Sequence, residues 1–228
     1  MKYAIFGDIH GNLEALEAVL ADSREQQCTH AACLGDLVGY CANPVECVAR
    51  IRSMGIPCVK GNYDEYCSSD GPLKQFQSQT ARLIDWTRSQ LSGDDKAWLK
   101  NLKPVEVVDG FTIVHATLHE PERWMYVFDK LAAAPSLERQ ATPLCFFGHT
   151  HVPVAFVRES MIRGGTYSKV RVEKEKRYFI NPGSVGQPRD GDHRAAYVTY
   201  QLETGVIELR RVEYDRSATL EKLKRFGF

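Results

Sequence analysis

The chain has no surplus of charge of either sign. Its 228 residues carry 29 Lys and Arg against 29 Asp and Glu. No global field therefore draws it onto nucleic acid or an anionic membrane. No apolar run approaches the length of a membrane span. The opening run, residues 1–6, breaks at Gly7-Asp8, too early for the apolar region of a secretory signal. Seven cysteines are present, yet none has the C-x-x-C spacing of a zinc ribbon or thiol redox motif. They read as free thiols, buried or half-buried, in a reducing cytosol. No G-x-S-x-G segment offers a nucleophilic serine. No repeat, low-complexity tract or linker divides the chain. It is expected to be cytoplasmic and to form a single domain over residues 1–228, long enough to bury a sizeable core.

What is present is a repeated strand, Gly-polar loop and helix. Residues 3–6 form a short apolar run stopped by Gly7-Asp8. Asn12 then stands as a helix N-cap before Leu13, Leu16, Val19 and Leu20 at helical spacing. Residues 31–34 are a second apolar run, stopped by Gly35-Asp36, and Pro44 opens a second helix. Residues 56–59 are a third run, stopped by Gly61-Asn62. Such alternation predicts a parallel sheet with crossover helices, whose strand-end loops share one ligand-binding rim. Residues 79–102 read as one helical stretch with Leu83, Trp86, Leu91, Trp98 and Leu102 in the core. Residues 105–114 read as a hairpin turning at Asp109-Gly110. Residues 144–147 form a strand before Gly148-His149. After Pro153 the pattern becomes all-β, with strands at 154–157, 168–172, 178–180, 196–200 and 206–212, and a closing helix near 218–226. Two sheets face to face, flanked by helices, cover both strand sets.

Five loop segments carry the chemistry: Gly7-Asp8-Ile9-His10-Gly11, Gly35-Asp36, Gly61-Asn62, Val114-His115 and Gly148-His149-Thr150-His151. Each offers an oxygen or nitrogen donor suited to a divalent transition metal. In Asp8-x-His10 and His149-x-His151, side chains two apart on extended backbone point the same way, so each pair can approach one metal or two adjacent ones. Four of the seven histidines fall in these segments, and His30, His119 and His193 read as surface or structural residues. Taken singly, an Asp or His after a strand is usually a cap or a hydrogen-bonded side chain. The ordered set is far more specific than any member.

That order, D-x-H, G-D, G-N, H and G-H-x-H over residues 8–151, resembles the calcineurin-like metallophosphoesterase superfamily. Gly39-Tyr40-Cys41-Ala42-Asn43-Pro44 and the run from Asn181-Pro182-Gly183-Ser184 to Arg189-Asp190 are similar to small bacterial members related to diadenosine tetraphosphatases and phosphodiesterases. The resemblance implies an α/β fold, a four-layer α-β-β-α sandwich of two mixed sheets flanked by helices. It implies two divalent metal ions, one held by Asp8, His10, Asp36 and His151. The other would be held by Asp36, Asn62, His115 and His149, with Asp36 and a hydroxide as bridges. The expected activity is metal-dependent hydrolysis of phosphodiester, nucleotide or activated phosphomonoester substrates, the hydroxide attacking phosphorus in line. The mixed N/O donor set favours Mn, Fe, Zn or Co over Mg. The expected partner is a small phosphorylated molecule, nucleotides included, and neither a membrane nor a nucleic acid.

Two positions depart from the family pattern. Many members carry a leaving-group acid, His, directly after G-N, and an Asp three residues beyond the bridging Asp that orients it. Here those positions are Tyr63 and Gly39. A tyrosine with a reference pKa near 10 is a poor proton donor at neutral pH but can still donate a hydrogen bond. Leaving groups that need little protonation should suffer least. Asp64 reads as a cap or turn residue. Residues 181–190 read as either a shaped turn or a substrate wall, with Arg189 contacting phosphate. A metal-binding scaffold on the same fold is the alternative, although every expected ligand position is filled.

Overall fold

A computed structural model describes residues 1–227. The chain begins with β1 (Lys2–Phe6), α1 (Leu13–Glu25), β2 (His30–Cys33) and α2 (Pro44–Met54). β1 and β2 pair in parallel, as the alternation predicts. The Asn12 side chain accepts from the Ala15 N–H at 3.1 Å and caps α1. Pro44 occupies the first turn of α2, where its missing N–H has no helical partner to lose.

The third unit departs from the expectation. Residues 56–59 form no ladder; Cys58 and Val59 make only single bridges, to Cys33 and Lys103. Pro57, inside the run, has no N–H to contribute to a ladder. α3 (Asn62–Ser68) starts directly at Asn62. The stretch 79–102 is two helices, α4 (Ser78–Gln90) and α5 (Gly93–Lys100). A capping box restarts the chain: the Ser92 hydroxyl accepts from the Asp95 N–H, and the Asp95 carboxylate accepts from the Ser92 N–H. The break shifts the buried face. Leu83 and Leu91 are buried, but Ile84 and Leu99 take the deepest places, while Trp86, Trp98 and Leu102 are half-buried.

β3 (Val105–Val108) and β4 (Phe111–Val114) form the expected hairpin. An unexpected helix, α6 (Lys130–Arg139), follows despite Pro135 within it. Asp129 caps it by accepting from the Leu131 and Ala132 N–H groups. Next come β5 (Leu144–Phe146), β6 (Val154–Arg158), β7 (Ile162–Gly165), β8 (Lys169–Arg171), β9 (Arg177–Asn181), β10 (Ala195–Gln201), β11 (Val206–Val212) and α7 (Arg216–Arg225). β7, ending in Gly164-Gly165, carries no alternating pattern and lies at a sheet edge.

The strands form two mixed sheets, ordered β2-β1-β10-β11-β8 and β3-β4-β5-β9-β6-β7. Strand alternation sorts each side chain into a layer. In β1, Tyr3 and Ile5 enter the core between the sheets, whereas Ala4 and Phe6 pack among residues of α1 to α5. In β5 and β9, Leu144, Phe146, Tyr178 and Ile180 face the inter-sheet core, while Cys145 and Phe179 join Ala133 and Leu137 of α6. The result is the four-layer α-β-β-α sandwich. All seven cysteines are free thiols, six of them buried. No helix among the described residues is long and apolar enough to cross a membrane.

This arrangement brings the loops after β1, β2, β4 and β5 to one rim. Gly35 lets the loop after β2 touch the segment at 59–61 that leads into α3. Its φ is +86°, and a Cβ there would lie 2.5 Å from the Gly61 nitrogen and 2.6 Å from the Val59 oxygen. Gly35→Ala is expected to destabilise by about 3 kcal/mol, lowering Tm by roughly 6–12 °C. A thermal melt unchanged within error would show that the loop and this segment are not held at this contact.

Candidate metal centre

Four histidines are held by one ring nitrogen and turn the other inward. Nδ1 of His10, His115 and His151 donates to the carbonyls of Val38, Leu34 and Gln187 at 3.1, 2.8 and 2.7 Å. Nε2 of His149 donates to the Trp124 carbonyl at 2.9 Å. A carbonyl only accepts, so the outer nitrogen carries the hydrogen and the inner one keeps its lone pair in the neutral ring.

The inner nitrogens crowd together. His10 Nε2 lies 3.0 Å from His151 Nε2. His115 Nε2 lies 3.3 Å from His149 Nδ1 and 3.1 Å from Asn62 Oδ1. Facing lone pairs at these distances repel unless a proton or cation is shared between them. Donors about 2.1 Å from one ion stand roughly 3.0–3.4 Å from each other, so the spacing fits a coordination shell.

Asp36 lies between both sets. Its Oδ2 is 3.5 Å from His10 Nε2 and 3.4 Å from His115 Nε2, and its Oδ1 accepts from the Tyr63 N–H at 2.7 Å. Asp8 Oδ1 lies 3.5 Å from His151 Nε2. The donor atoms of Asp8, His10, Asp36 and His151 all lie within 4.8 Å of one another, as do those of Asp36, His115 and His149. Every one of these residues is buried. Buried carboxylates need compensating charge, and either group could hold a divalent metal.

Burial and the Asp36 charge shift the titration of the groups around the centre. Burial opposes charge on His115, but Asp36 outweighs it and lifts the imidazole to about 10. Burial raises the Asp36 carboxyl, yet His115 pulls it below the usual carboxylate range. Burial lifts Asp8 to about 7 against the pull of His115. His10 and His149 are lowered by burial to about 4 and about 3, and His151 is lowered as well, so these three rings stay neutral.

The backbone differs from the expected extended form. Asp8, His10, Asp36, His149 and His151 all have positive φ, between 51° and 68°. Each such non-glycine residue costs on the order of 1–3 kcal/mol. The loops are pinned in return: the N–H groups of Asp8, Ile9 and His10 donate to the carbonyls of Gly35 and Asp36 at 2.8–2.9 Å. One consequence is that His149 and His151 diverge, His149 to the group with His115 and His151 to the group with Asp8.

Residues outside the donor set brace it. Asp64 is a cap, as expected, but a fully buried one. Its carboxylate accepts from the N–H groups of Asp36, Leu37 and Gly61 at 2.8, 2.8 and 2.9 Å, tying the loop after β2 to the start of α3. An acidic residue beside a turn carries no signal of partners 27 and 28 positions away. The loop at 181–190 is likewise a brace: Ser184 Oγ donates to the Asp8 carbonyl, and Asn181 Nδ2 to the Gly148 carbonyl and Thr150.

A cavity of about 290 Å³ opens onto Asp36, Asn62, His149 and His151, with Tyr40, Tyr63 and the exposed Arg189 on its walls. Tyr63 is only 8% exposed and donates to the Tyr40 hydroxyl at 2.5 Å. Burial and that bond push the Tyr63 hydroxyl above its ordinary pKa, which makes it a still weaker acid. Gly39 and Tyr63 are one departure, not two. A Cβ on Gly39 would lie 2.5 Å from the Tyr63 ring, so the ring occupies space that a side chain at 39 would need. Arg189 lies 5.8 Å from the Tyr40 ring centre and donates to Gln187 Oε1 at 2.7 Å.

Comparison with known proteins agrees with this geometry. The family model of the calcineurin-like phosphoesterase superfamily domain matches residues 1–205. An uncharacterized protein of Methanocaldococcus jannaschii is 37% identical over 226 residues, covering 96% of this chain and 90% of its own length. A metallophosphoesterase crystal structure from Sphaerobacter thermophilus is 34% identical, with a TM-score of 0.87, covering 100% of this chain and 94% of that one. A hypothetical protein of Pyrococcus horikoshii shares the fold at 17% identity, with a TM-score of 0.81, covering 99% and 93%.

The protonation pattern makes metal binding pH-dependent. A cation entering the centre must displace the His115 proton, which is held up to about 10. Metal affinity should therefore rise as pH rises from 6 to 8, with roughly one proton released per protein at pH 8. Titration calorimetry in buffers of different ionisation enthalpy measures the release; zero net release would overturn the protonation assigned to His115.

Proposed function

The chain belongs to the calcineurin-like phosphoesterase superfamily, and from that premise we propose that it hydrolyses phosphate esters with two divalent metal ions bridged by Asp36. The observation that carries the reading is the membership of Asp36 in both donor groups. Asp8, His10, Asp36 and His151 would hold one ion, and Asp36, Asn62, His115 and His149 the other. The donor chemistry suits Mn, Fe, Zn or Co. When bound, such ions neutralise phosphate oxygens and lower the pKa of water beside them.

The side chains around the centre bind and orient. Asn62 turns its Oδ1 to His115, which leaves its amide hydrogens for a phosphate oxygen at the cavity floor. The Arg189 guanidinium, also in the cavity, offers a planar fork to the same phosphate. The Tyr63 hydroxyl is spent on Tyr40. Tyr63 thus positions Tyr40, which lines the cavity and whose own hydroxyl hydrogen would be left to donate to the phosphate. Neither tyrosine replaces the acid histidine of other family members. Substrates should carry leaving groups that depart without protonation, as in phosphodiesters of acidic alcohols, nucleoside polyphosphates and aryl monoesters.

The decisive assay is hydrolysis of bis(p-nitrophenyl) phosphate with added manganese. Asp36→Asn should lower the rate by at least about 100-fold. A wild-type protein that releases no p-nitrophenol with Mn, Zn, Co or Fe would favour the scaffold reading instead. The leaving-group argument has its own check. Tyr63→His should raise turnover of alkyl phosphomonoesters by roughly 100-fold and change aryl esters little. If the unaltered protein already cleaves alkyl esters as fast as the variant, the argument fails.

A further inference from the structure

The cavity over the metal centre has more aromatic surface than a phosphate can use. Six of its twelve lining residues are aromatic, and two more are arginines. A phosphate is recognised by cations and N–H or O–H donors, to which an aromatic face contributes nothing. Aromatic rings left at a wet opening match a planar organic group instead.

The rings form two groups. Tyr66 packs against Phe76 at 4.9 Å and against Tyr63 at 5.9 Å. Tyr126 stacks on His149, with centroids 4.2 Å apart and planes 20° apart, and lies nearly parallel to Phe128 at 5.5 Å. Tyr126 remains 50% exposed, so it keeps surface for a ligand. The segment that carries it is fixed to the centre. The Trp124 carbonyl accepts from His149, and Glu120 and Trp124 both hold positive φ to make that turn. The distance from Tyr126 to a phosphate at Asn62 is thereby set by the fold.

We infer that this aromatic seat binds the base of a nucleoside phosphate, stacking it beside Tyr126 and Phe76 while the phosphate meets Asn62 and Arg189. The placement of the phosphate rests on the proposed hydrolase reading. The volume, about 290 Å³, is at the lower end for small-molecule pockets. It suits one nucleotide unit and not a polymer, in keeping with a chain of zero net charge.

The test compares adenosine monophosphate with ribose 5-phosphate, which differ by the base alone, by calorimetric titration of the manganese-loaded protein. Both are alkyl monoesters, so turnover should not intrude. Adenosine monophosphate should bind about tenfold tighter or more. Tyr126→Ala and Phe76→Ala should bring the ratio toward one, and Tyr126→Phe should retain it. Equal affinities in the unaltered protein, or a preference that survives both alanine variants, would overturn the inference. So would a phosphoserine peptide that binds as tightly as the nucleotide. Hydrolysis of bis(p-nitrophenyl) phosphate is scored separately. A protein that prefers the nucleotide yet cleaves nothing loses the hydrolase reading and keeps the base seat.

Discussion

One buried carboxylate organises this protein. Asp36 faces imidazoles from two different loops, belongs to both donor groups, and accepts the Tyr63 N–H through its other oxygen. Such a charge survives burial only with compensation close by. The Asp36 charge in turn raises the pKa of the His115 imidazole beside it. The whole rim is arranged to keep Asp36 there. Asp64 accepts from the Asp36 N–H, and the Asp36 carbonyl receives two N–H groups from the loop after β1.

The donors are aimed by backbone, not by other side chains. Each of the four histidines gives its outer N–H to a main-chain carbonyl, which settles the tautomer and the ring direction together. Left-handed backbone at Asp8, His10, Asp36, His149 and His151 recurs along the same rim. The two-sheet core and the helices packed on it hold the strand ends from which these turns depart.

The missing acid pair and the aromatic cavity have a common physical basis. The Tyr63 ring fills the space above Gly39, and its hydroxyl is bonded to Tyr40. Where other members of the family carry a proton donor, this chain carries a wall. Tyr63 continues into Tyr66 and Phe76, so the surface that replaces acid chemistry also shapes the opening for a planar group.

Much of this was legible in the residues alone, because it depends on short-range rules. Apolar runs ending at Gly-Asp, Gly-Asn and Gly-His marked strand ends. Asn12 and Pro44 marked helix starts. The ordered set of Asp, His and Asn marked a rim able to bind metal. Other features escaped the reading although their signals are local, because each runs against the periodicity around it. The capping box at Ser92 divided one periodic stretch into two helices. Pro135 concealed a helix, and Pro57 left a run of strand-forming residues without a ladder. Local sequence determined the donors and the loops they sit in. Only tertiary structure decided that the donors of each group come within reach of one another, that Asp64 holds Asp36, and that Tyr63 spends its hydroxyl on Tyr40. Those outcomes turn on left-handed backbone at five residues and on contacts across 23 to 141 positions, which no local pattern encodes.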